Sequence, residues 1–456
     1  MSAWLIRRAI STAITLLAIS TLVFAILALA PGDPMAEFAT DPSMSREVRE
    51  GIRRSLGLDQ PLYIRYVRWL QALGHGDVGY SFTSRSANIH RGAYAFSRQS
   101  TDAYAAARAT VARFLNAAPR EIVFTRNAIE GLNLIAFAYA RTTLQPGDAI
   151  LITELEHHAN DLPWRMVAQE RGLYVKRIPL LPDGTLDLQA FEALLTPRVK
   201  LLSFAHVSNV LGTITDPAPL VARARANGTV VVLDACQSAP QLPLDVRALD
   251  CDFLAFSGHK VFGPTGIRVV YGRAELLAAM PPFLTGGDVA RDVGFDDVVW
   301  EDAPLRFEAG TPMFVEAIGM AAALEYLQAI GMATVRAHKQ ELTAYALERF
   351  AGLGGVRVFG PRDSAARGGG DRVHGRWMDG APGRQRPRSV WHRGALRPPL
   401  RPSVAQAARC RGDGARQFAI SNNRADVDAL VDALQALGQR PALDGPEGQA
   451  GCRDAG

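Results

Sequence analysis

Cysteine is scarce in this chain. Its 456 residues hold four: Cys236, Cys251, Cys410 and Cys452. They lie far apart and form no CxxC pair, which excludes a disulfide scaffold and a zinc ribbon. No metal site is expected, and a reducing compartment is the simpler setting for the part that carries them. Lysine runs out as well: none follows Lys339, whereas arginine crowds residues 362–416. The net charge of +5 is small for this length and gives no reason to expect a nucleic-acid partner. Charge is missing altogether from residues 9–30. Such a run is long enough to cross a bilayer as a helix. Arg7 and Arg8 before it would hold the N-terminus on the cytoplasmic side and tie the chain to the inner membrane. "ALA" at 28–30 offers a rival reading as a signal-peptide cleavage site, but the run is long for a signal and Pro31 would follow the cut. The rest is ordinary. A hydrophobic content of 48% and a charged content of 21% fit a globular protein of two or three domains.

Three unlike pieces follow one another. Residues 1–85 hold the apolar run, "APGDP", and "LGLDQPLYIRYVRWLQALGHGDVGYSF". In the last of these Tyr63, Tyr66, Val67, Leu70 and Leu73 form a helical stripe. Residues 86–360 alternate short apolar runs ("EIVFT", "AILIT", "VKLLSFAHV", "TVVVLDAC", "FLAFSG", "IRVVYG") with amphipathic segments such as "DLQAFEALL". That alternation predicts an α/β fold with a mostly parallel sheet covered by helices. Residues 361–417 break the pattern: Arg, Gly and Pro dominate, no apolar period survives, and the segment reads as unstructured. Order returns at 418–438, where Val427, Leu430, Val431, Leu434 and Leu437 share a helical face. Residues 439–456 read as a disordered Gly/Pro-rich tail.

In a parallel sheet, ligands gather beyond the carboxyl ends of the strands. The polar candidates lie there: "EHHAND", "HVSNVLG", "DACQSA" and "SGHK" each follow an apolar run. Taken together they have the parts of a pyridoxal phosphate (PLP) site. Lys260 offers an amine for a Schiff base. Asp234 offers a carboxylate to keep a pyridine nitrogen protonated, and Gln237 can reach the ring's phenolic oxygen. His157 can stack on the ring or shuttle a proton, and Ser257 and His259 can hold a phosphate. Each residue also has a plain structural reading. Lys260 can extend to solvent, Asp234 can cap the next helix, Asn209 can serve a turn, and the His157–His158 pair can be a surface turn. It is the order of the set, each member after a strand, that argues for a shared site.

"ANIHRG", "EHHAN", "HVSNVLG", "DACQSAPQLPLDV", "DCDFLAFSGHKVFGPTGI" and "RFEAGTP" resemble the group II, sulfur-mobilising cysteine desulfurases of the class V aminotransferases. The resemblance covers about 88–360 and 418–437. It implies PLP fold type I, with a large domain over 86–310 and a small α+β domain from 311–360 and 418–438. It implies Lys260 as the Schiff-base lysine, Asp234 on the pyridine nitrogen and Gln237 on the phenolic oxygen. It places His157 over the ring, Asn209 near cofactor or substrate, and Ser257 with His259 on the phosphate. His90 and Arg91 would lie toward the substrate. Thr311 would reach the phosphate of a partner subunit in a homodimer. The implied activity takes L-cysteine to L-alanine and leaves a persulfide for a sulfur-acceptor protein in iron–sulfur cluster assembly, in the cytoplasm. Residues 1–84 are similar to the N-terminus of dipeptide/oligopeptide ABC transporter permeases. A permease needs several spans and this chain offers one, so that piece alone cannot transport.

The chain departs from the desulfurase pattern in three ways. The strand and turn that precede "NIHRG" in the family are replaced by the permease-like piece. The helix start "NAIEGLN" has Ala128 and Ile129 where hydroxyl donors are usual, which leaves backbone N–H groups for the phosphate. The family's "RxGHHCA" loop is absent, and Leu400 and Arg401 stand where its cysteine is expected. "RSVWHRGALRPPLRPS", read in a neighbouring codon frame, can spell "DRYGIAVRCGHHCAHP". Two compensating frameshifts, near Gly370 and before Gln417, would account for the whole Arg-rich segment. The substrate-carboxylate arginine would then be lost with the cysteine. Cys410 in "ARCRGDG" has no helix or histidine to activate it. The leading expectation is an impaired PLP-dependent cysteine desulfurase. The alternatives are a permease fragment, or a PLP aminotransferase or lyase that needs no cysteine.

Overall fold

The computed structural model describes residues 60–74, 95–126, 128–354, 356–368, 370–375, 414–417 and 419–438, with residues 8, 20 and 21. The chain divides into two units, Met1–Ser97 and Arg98–Gly456. In the first, helix α1 (Leu62–Gly74) carries the expected stripe. Tyr63 and Val67 on it are exposed, and the Tyr66 hydroxyl hydrogen-bonds the hydroxyls of Ser20 and Thr21. The expected span at 9–30 lies outside the described residues, apart from Ser20 and Thr21. Among the described residues no single helix is long and apolar enough to cross a membrane.

The second unit is built on a seven-stranded sheet. Its strands are β1 (Ile122–Thr125), β2 (Ala149–Thr153), β3 (Tyr174–Ile178), β4 (Val199–Ala205), β5 (Val230–Asp234), β6 (Phe253–Ser257) and β7 (Arg268–Gly272), in the order β1-β7-β6-β5-β4-β2-β3. Neighbours from β6 through β5, β4 and β2 to β3 run parallel. β7 pairs antiparallel with both β6 and β1. The predicted mostly parallel α/β sheet is therefore present. β1, β2, β6 and β7 are buried at every residue, as strands covered on both faces must be.

Helices α2 (Ala95–Leu115) from Arg98 onward, α3 (Ala128–Leu134), α4 (Leu162–Arg171), α5 (Leu188–Leu194) and α6 (Pro217–Ala226) belong to this unit. Sequence fixes two of their starts. The Asp187 carboxylate accepts from Gln189 and Ala190 N–H, and the Asp216 carboxylate accepts from Ala218 N–H; such caps are worth about 1 kcal/mol each. One core cluster centres on Trp164, Ile150, Val232, Phe253 and Val270, all with no accessible surface. Each large apolar side chain there contributes about 1.5–3 kcal/mol.

α7 (Phe314–Ile330) and α8 (Met332–Ala351) lead to a three-stranded antiparallel sheet of β10 (Val356–Phe359), β11 (Gly370–Gly375) and β12 (Gly414–Gln417). A two-stranded ribbon, β8 (Ala290–Val293) with β9 (Val298–Trp300), precedes them. Helix α9 (Arg424–Gly438) buries Val427, Val431 and Leu434 against Leu342, Ala346 and Phe350 of α8. That is the predicted face.

The Arg-rich segment needs a correction at both ends. Residues 361–368 are ordered. Arg367 has no exposed surface and donates to Pro361 O at 2.8 Å. Gly368 N donates to Gly212 O at 2.7 Å. Arg336 of α8 clamps the loop through the carbonyls of Arg367, Ser364 and Ala365. β11 and β12 also fall inside the segment. None of this ordering needs an apolar period, because backbone pairing and arginine–carbonyl bonds supply it. The central stretch 376–413, with Leu400, Arg401 and Cys410, lies outside the described residues, as does the tail 439–456.

Candidate active site

The carboxyl ends of β2, β5 and β6 deliver four of the expected groups, His157, Asp234, Ser257 and Lys260, to one edge of the sheet. Asp234 closes β5 and is 5% exposed. Its Oδ1 accepts from Cys236 N at 2.9 Å, so the carboxylate is fixed by the backbone that follows it. Ser257 closes β6 and is buried, with Oγ 3.6 Å from Cys236 Sγ. Lys260 rides on the 3₁₀ turn Gly258–Val261 and is half-buried. That turn is stapled twice: Gly258 N donates to Ile267 O and Gly263 N donates to Gly258 O, both at 2.9 Å. Val261 is fully buried beneath it. Phe262 ends the turn at φ 65°, a left-handed conformation that costs a non-glycine residue energy.

His157 stands in the turn after β2. Its Nδ1 accepts from Ala159 N at 3.1 Å. The neutral ring therefore carries its proton on Nε2. The ring faces solvent, yet neighbouring atoms crowd it and push its pKa below the usual histidine value. Desolvation is the main cause, the Lys260 charge adds to it, and Asp234 opposes it. His157, Lys260 and Asp234 thus share one electrostatic environment. Gln237, three residues past Asp234, is 9% exposed. Asn209 is half-buried in the loop after β4, and His259 is exposed. Thr311 lines a cleft with Thr125, Arg126, Glu130, Ala309 and Met313. His90 and Arg91 lie outside the described residues. Among the described residues no cluster of His, Cys, Asp and Glu could hold a metal.

The aminotransferase class-V family matches residues 78–370. The chain belongs to the class V aminotransferase family. A probable cysteine desulfurase 2 from Mycobacterium leprae is 41% identical over 428 residues, 90% of this chain and 98% of the relative. The crystal structure of the cysteine desulfurase CsdA (S-sulfonic acid) from Escherichia coli superposes with a TM-score of 0.66 at 34% identity. It covers 78% of this chain and 88% of that one. The apo cysteine desulfurase of Thermococcus onnurineus gives 0.67 at 31%, over 81% and 90%. Residues 1–100 match the N-terminal part of the binding-protein-dependent transport system membrane component.

Two groups beside these strand ends escape a reading of motifs. Arg268, the first residue of β7, has no accessible surface and sends its guanidinium to Asp234 and Cys236. Its signal was a lone charge inside the apolar run "IRVVYG". The other is Glu156, in "ELEHHAN". Its carboxyl is buried and accepts from Thr153 Oγ1 and Asn160 Nδ2, each at 2.5 Å, and from Ala205 N at 3.1 Å. Asn160 Oδ1 in turn accepts from Ser203 Oγ and Trp164 Nε1. This network locks the turn that presents His157. Burial pushes the Glu156 pKa up to about 8, against the three hydrogen bonds. A carboxyl raised on folding keeps its proton in the folded state and loses it in the unfolded chain. Stability should therefore fall as pH rises from about 4.5 to about 8, by about 4 kcal/mol. Urea titrations of the native chain and Glu156→Gln across that window check this. The native slope should be negative and the variant's flatter; equal slopes would assign the pH dependence elsewhere.

Proposed function

We infer that the chain is a PLP-dependent cysteine desulfurase acting on L-cysteine. The observation that carries this reading is the meeting of an amine, a carboxylate and an imidazole, from Lys260, Asp234 and His157, beyond parallel strand ends. It does so in a chain whose relatives are cysteine desulfurases over most of its length. The donor set fits PLP. A fixed carboxylate, a half-buried lysine and a buried hydroxyl at Ser257 sit at one strand edge, and Arg268, with two guanidinium nitrogens unpartnered among the described residues, lies beside Asp234. When bound, PLP supplies an electron sink for chemistry at the amino acid's α-carbon.

The residues divide the work as follows. Asp234, held by Cys236 N–H, keeps a proton on the ring nitrogen. Lys260 Nζ would hold the cofactor, and its amine can move a proton at the substrate. His157 has Nδ1 committed to Ala159 N–H, so its Nε2 is the atom that would exchange a proton with a cofactor held beside it. Gln237 meets the phenolic oxygen. Ser257 and His259 hold the phosphate, helped by backbone N–H groups at the start of α3 in place of the missing hydroxyls. Asn209 borders the substrate side. Thr311, in a cleft lined also by Arg126 and Glu130 beside the start of α3, suits the phosphate of a second subunit, in a homodimer of the group II type, with a sulfur-acceptor protein as the further partner. Desulfuration also needs a thiolate to take the sulfur. The written chain has Leu400 and Arg401 in that place, so turnover is impaired. A single span with Arg7 and Arg8 inside would carry the enzyme outward, so the transporter-like N-terminal piece, including its apolar run, is foreign to the chemistry, and the enzyme works on the cytoplasmic side without it.

Purified full-length chain incubated with PLP should gain visible absorbance, release almost no sulfide from L-cysteine, and gain sulfide release when the frame between about Gly370 and Gln417 is restored. Absence of the absorbance would overturn the cofactor assignment. Rapid sulfide release by the unmodified chain would overturn the impairment.

A further inference from the structure

Arg268 is the least ordinary residue of the site. It pairs directly with Ser257 across the β6–β7 ladder and with Thr125 across β1–β7, so its side chain leaves the sheet on their face. α3 lies on that face. A Cβ on Gly131 of α3 would come within 3.0 Å of Arg268 Cδ and 2.7 Å of Val270 Cγ2, so glycine is what lets the helix close over the arginine stem. The guanidinium ends in a fully buried position. One terminal nitrogen lies 3.2 Å from Cys236 Sγ and 3.8 Å from Asp234 Oδ1. Nε and the other terminal nitrogen have no hydrogen-bond partner among the described residues.

A cation with no exposed surface and unmet donors is stable only beside an opposite charge. Asp234 is the carboxylate that forms an ion pair with it. The other titratable groups around this pair are Cys236 from the loop after β5, Lys260 from the turn after β6, and His157 and Glu156 from the turn after β2. None of the first three offers Arg268 a negative charge. The Cys236 thiol is raised by burial and stays protonated, and Glu156 is committed to its own network.

We propose that Arg268 is a positioning residue that shares the Asp234 carboxylate with the cofactor's ring nitrogen and so loosens the proton on that nitrogen. This rests on the PLP reading above and goes beyond it. A carboxylate that already faces a guanidinium is a weaker base toward a second partner. The ring bound here is therefore a weaker electron sink than one facing an unshared aspartate. Removing the cation returns the full charge of Asp234 to the ring. A neighbouring charge at this range moves a proton affinity by about tenfold or more.

The test compares the native full chain with Arg268→Met, which keeps the stem without the charge, and Arg268→Lys, which keeps the charge. Each is loaded with PLP labelled with ¹⁵N in the ring, and the nitrogen chemical shift is followed against pH. Arg268→Met should move the signal toward the protonated ring, raise its proton affinity by about tenfold and tighten PLP binding by a similar factor. Arg268→Lys should stay near the native value. Identical shifts in all three proteins would overturn the proposal. A second measurement needs no cofactor: a urea double-mutant cycle on apo-protein with Asp234→Asn and Arg268→Met. The two changes should be non-additive by about tenfold in the unfolding constant; additivity would overturn the pairing itself. A chain that takes up no PLP while its apo cycle is coupled would overturn the cofactor reading, and this inference with it, yet leave the ion pair standing.

Discussion

Replacing Lys260 with alanine is expected to erase the visible absorbance of bound PLP while leaving the fold intact. The lysine sits on a turn whose geometry is set by other atoms. Gly258 N–H and Gly263 N–H hold the backbone, and Val261 anchors it in the core. No hydrogen bond or ion pair ties Lys260 Nζ among the described residues, so the truncation leaves no buried partner unmet. Its cost should match that of a surface substitution, within about 0.5 kcal/mol. The chemical effect should be large, because the ε-amine is what bonds the cofactor. Without it the ring, phosphate and phenolic contacts remain, and PLP should bind about a hundredfold more weakly, a loss of about 2.7 kcal/mol. An absorption spectrum, equilibrium dialysis and a thermal melt report the three quantities separately. Unchanged colour would show that another amine carries the cofactor. A collapsed melting temperature would show that Lys260 is structural. The same variant also shifts His157, whose pKa the Lys260 charge depresses. Its ring titration should move up once that charge is gone.

The parallel sheet was legible because its central strands are continuous apolar runs with polar residues just beyond them. β3 was not. Tyr174–Ile178 carries Lys176 and Arg177, and only Ile178 is buried, as suits an edge strand with a solvated face. Periodicity cannot see such a strand, since its place is fixed by pairing with β2. Asp234, Ser257 and Lys260 were legible by their order after strands, and Asp234 does accept from the N–H two residues on, as a capping reading would have it. Thr311 could not be placed from sequence, because its cleft forms from segments nearly two hundred residues apart. Arg268 and Glu156 were missed for one reason: each draws its meaning from tertiary partners, Asp234 for one and Asn160 with Thr153 for the other. The opposite error arose at 361–368, where composition suggested disorder and Arg336 with Arg367 supplied order through carbonyls. A pattern of apolar residues reveals what buries hydrophobic area. It is silent about segments held by arginine.

The same silence covers Glu308, in "RFEAGTP", whose loss is expected to be the most damaging single change to stability. Its carboxylate accepts four hydrogen bonds: two from Arg108 at 2.7 Å each, one from the Tyr104 hydroxyl at 2.8 Å and one from Phe124 N at 2.8 Å. Arg108 and Glu308 side chains are only 9% and 5% exposed. The guanidinium also lies over the rings of Tyr104 and Phe124, at 5.0 and 4.7 Å, and donates to Ile122 O. One carboxylate therefore joins α2, β1 and the loop that leads to Thr311. Glu308→Ala strands a buried cation, a phenol and a backbone N–H at once. Breaking such a pair by removing one partner costs about 3–5 kcal/mol, a large share of a typical domain's stability. Glu308→Gln keeps one acceptor and should lose less. Replacing both partners, with Arg108→Met and Glu308→Leu, should recover much of the loss, because the desolvated charges go together. Urea unfolding of the four proteins measures this. The double variant should unfold at a higher midpoint than Glu308→Ala. If Glu308→Ala instead unfolds within about 1 kcal/mol of the native chain, the pair is solvated in solution and does not hold α2 to the sheet.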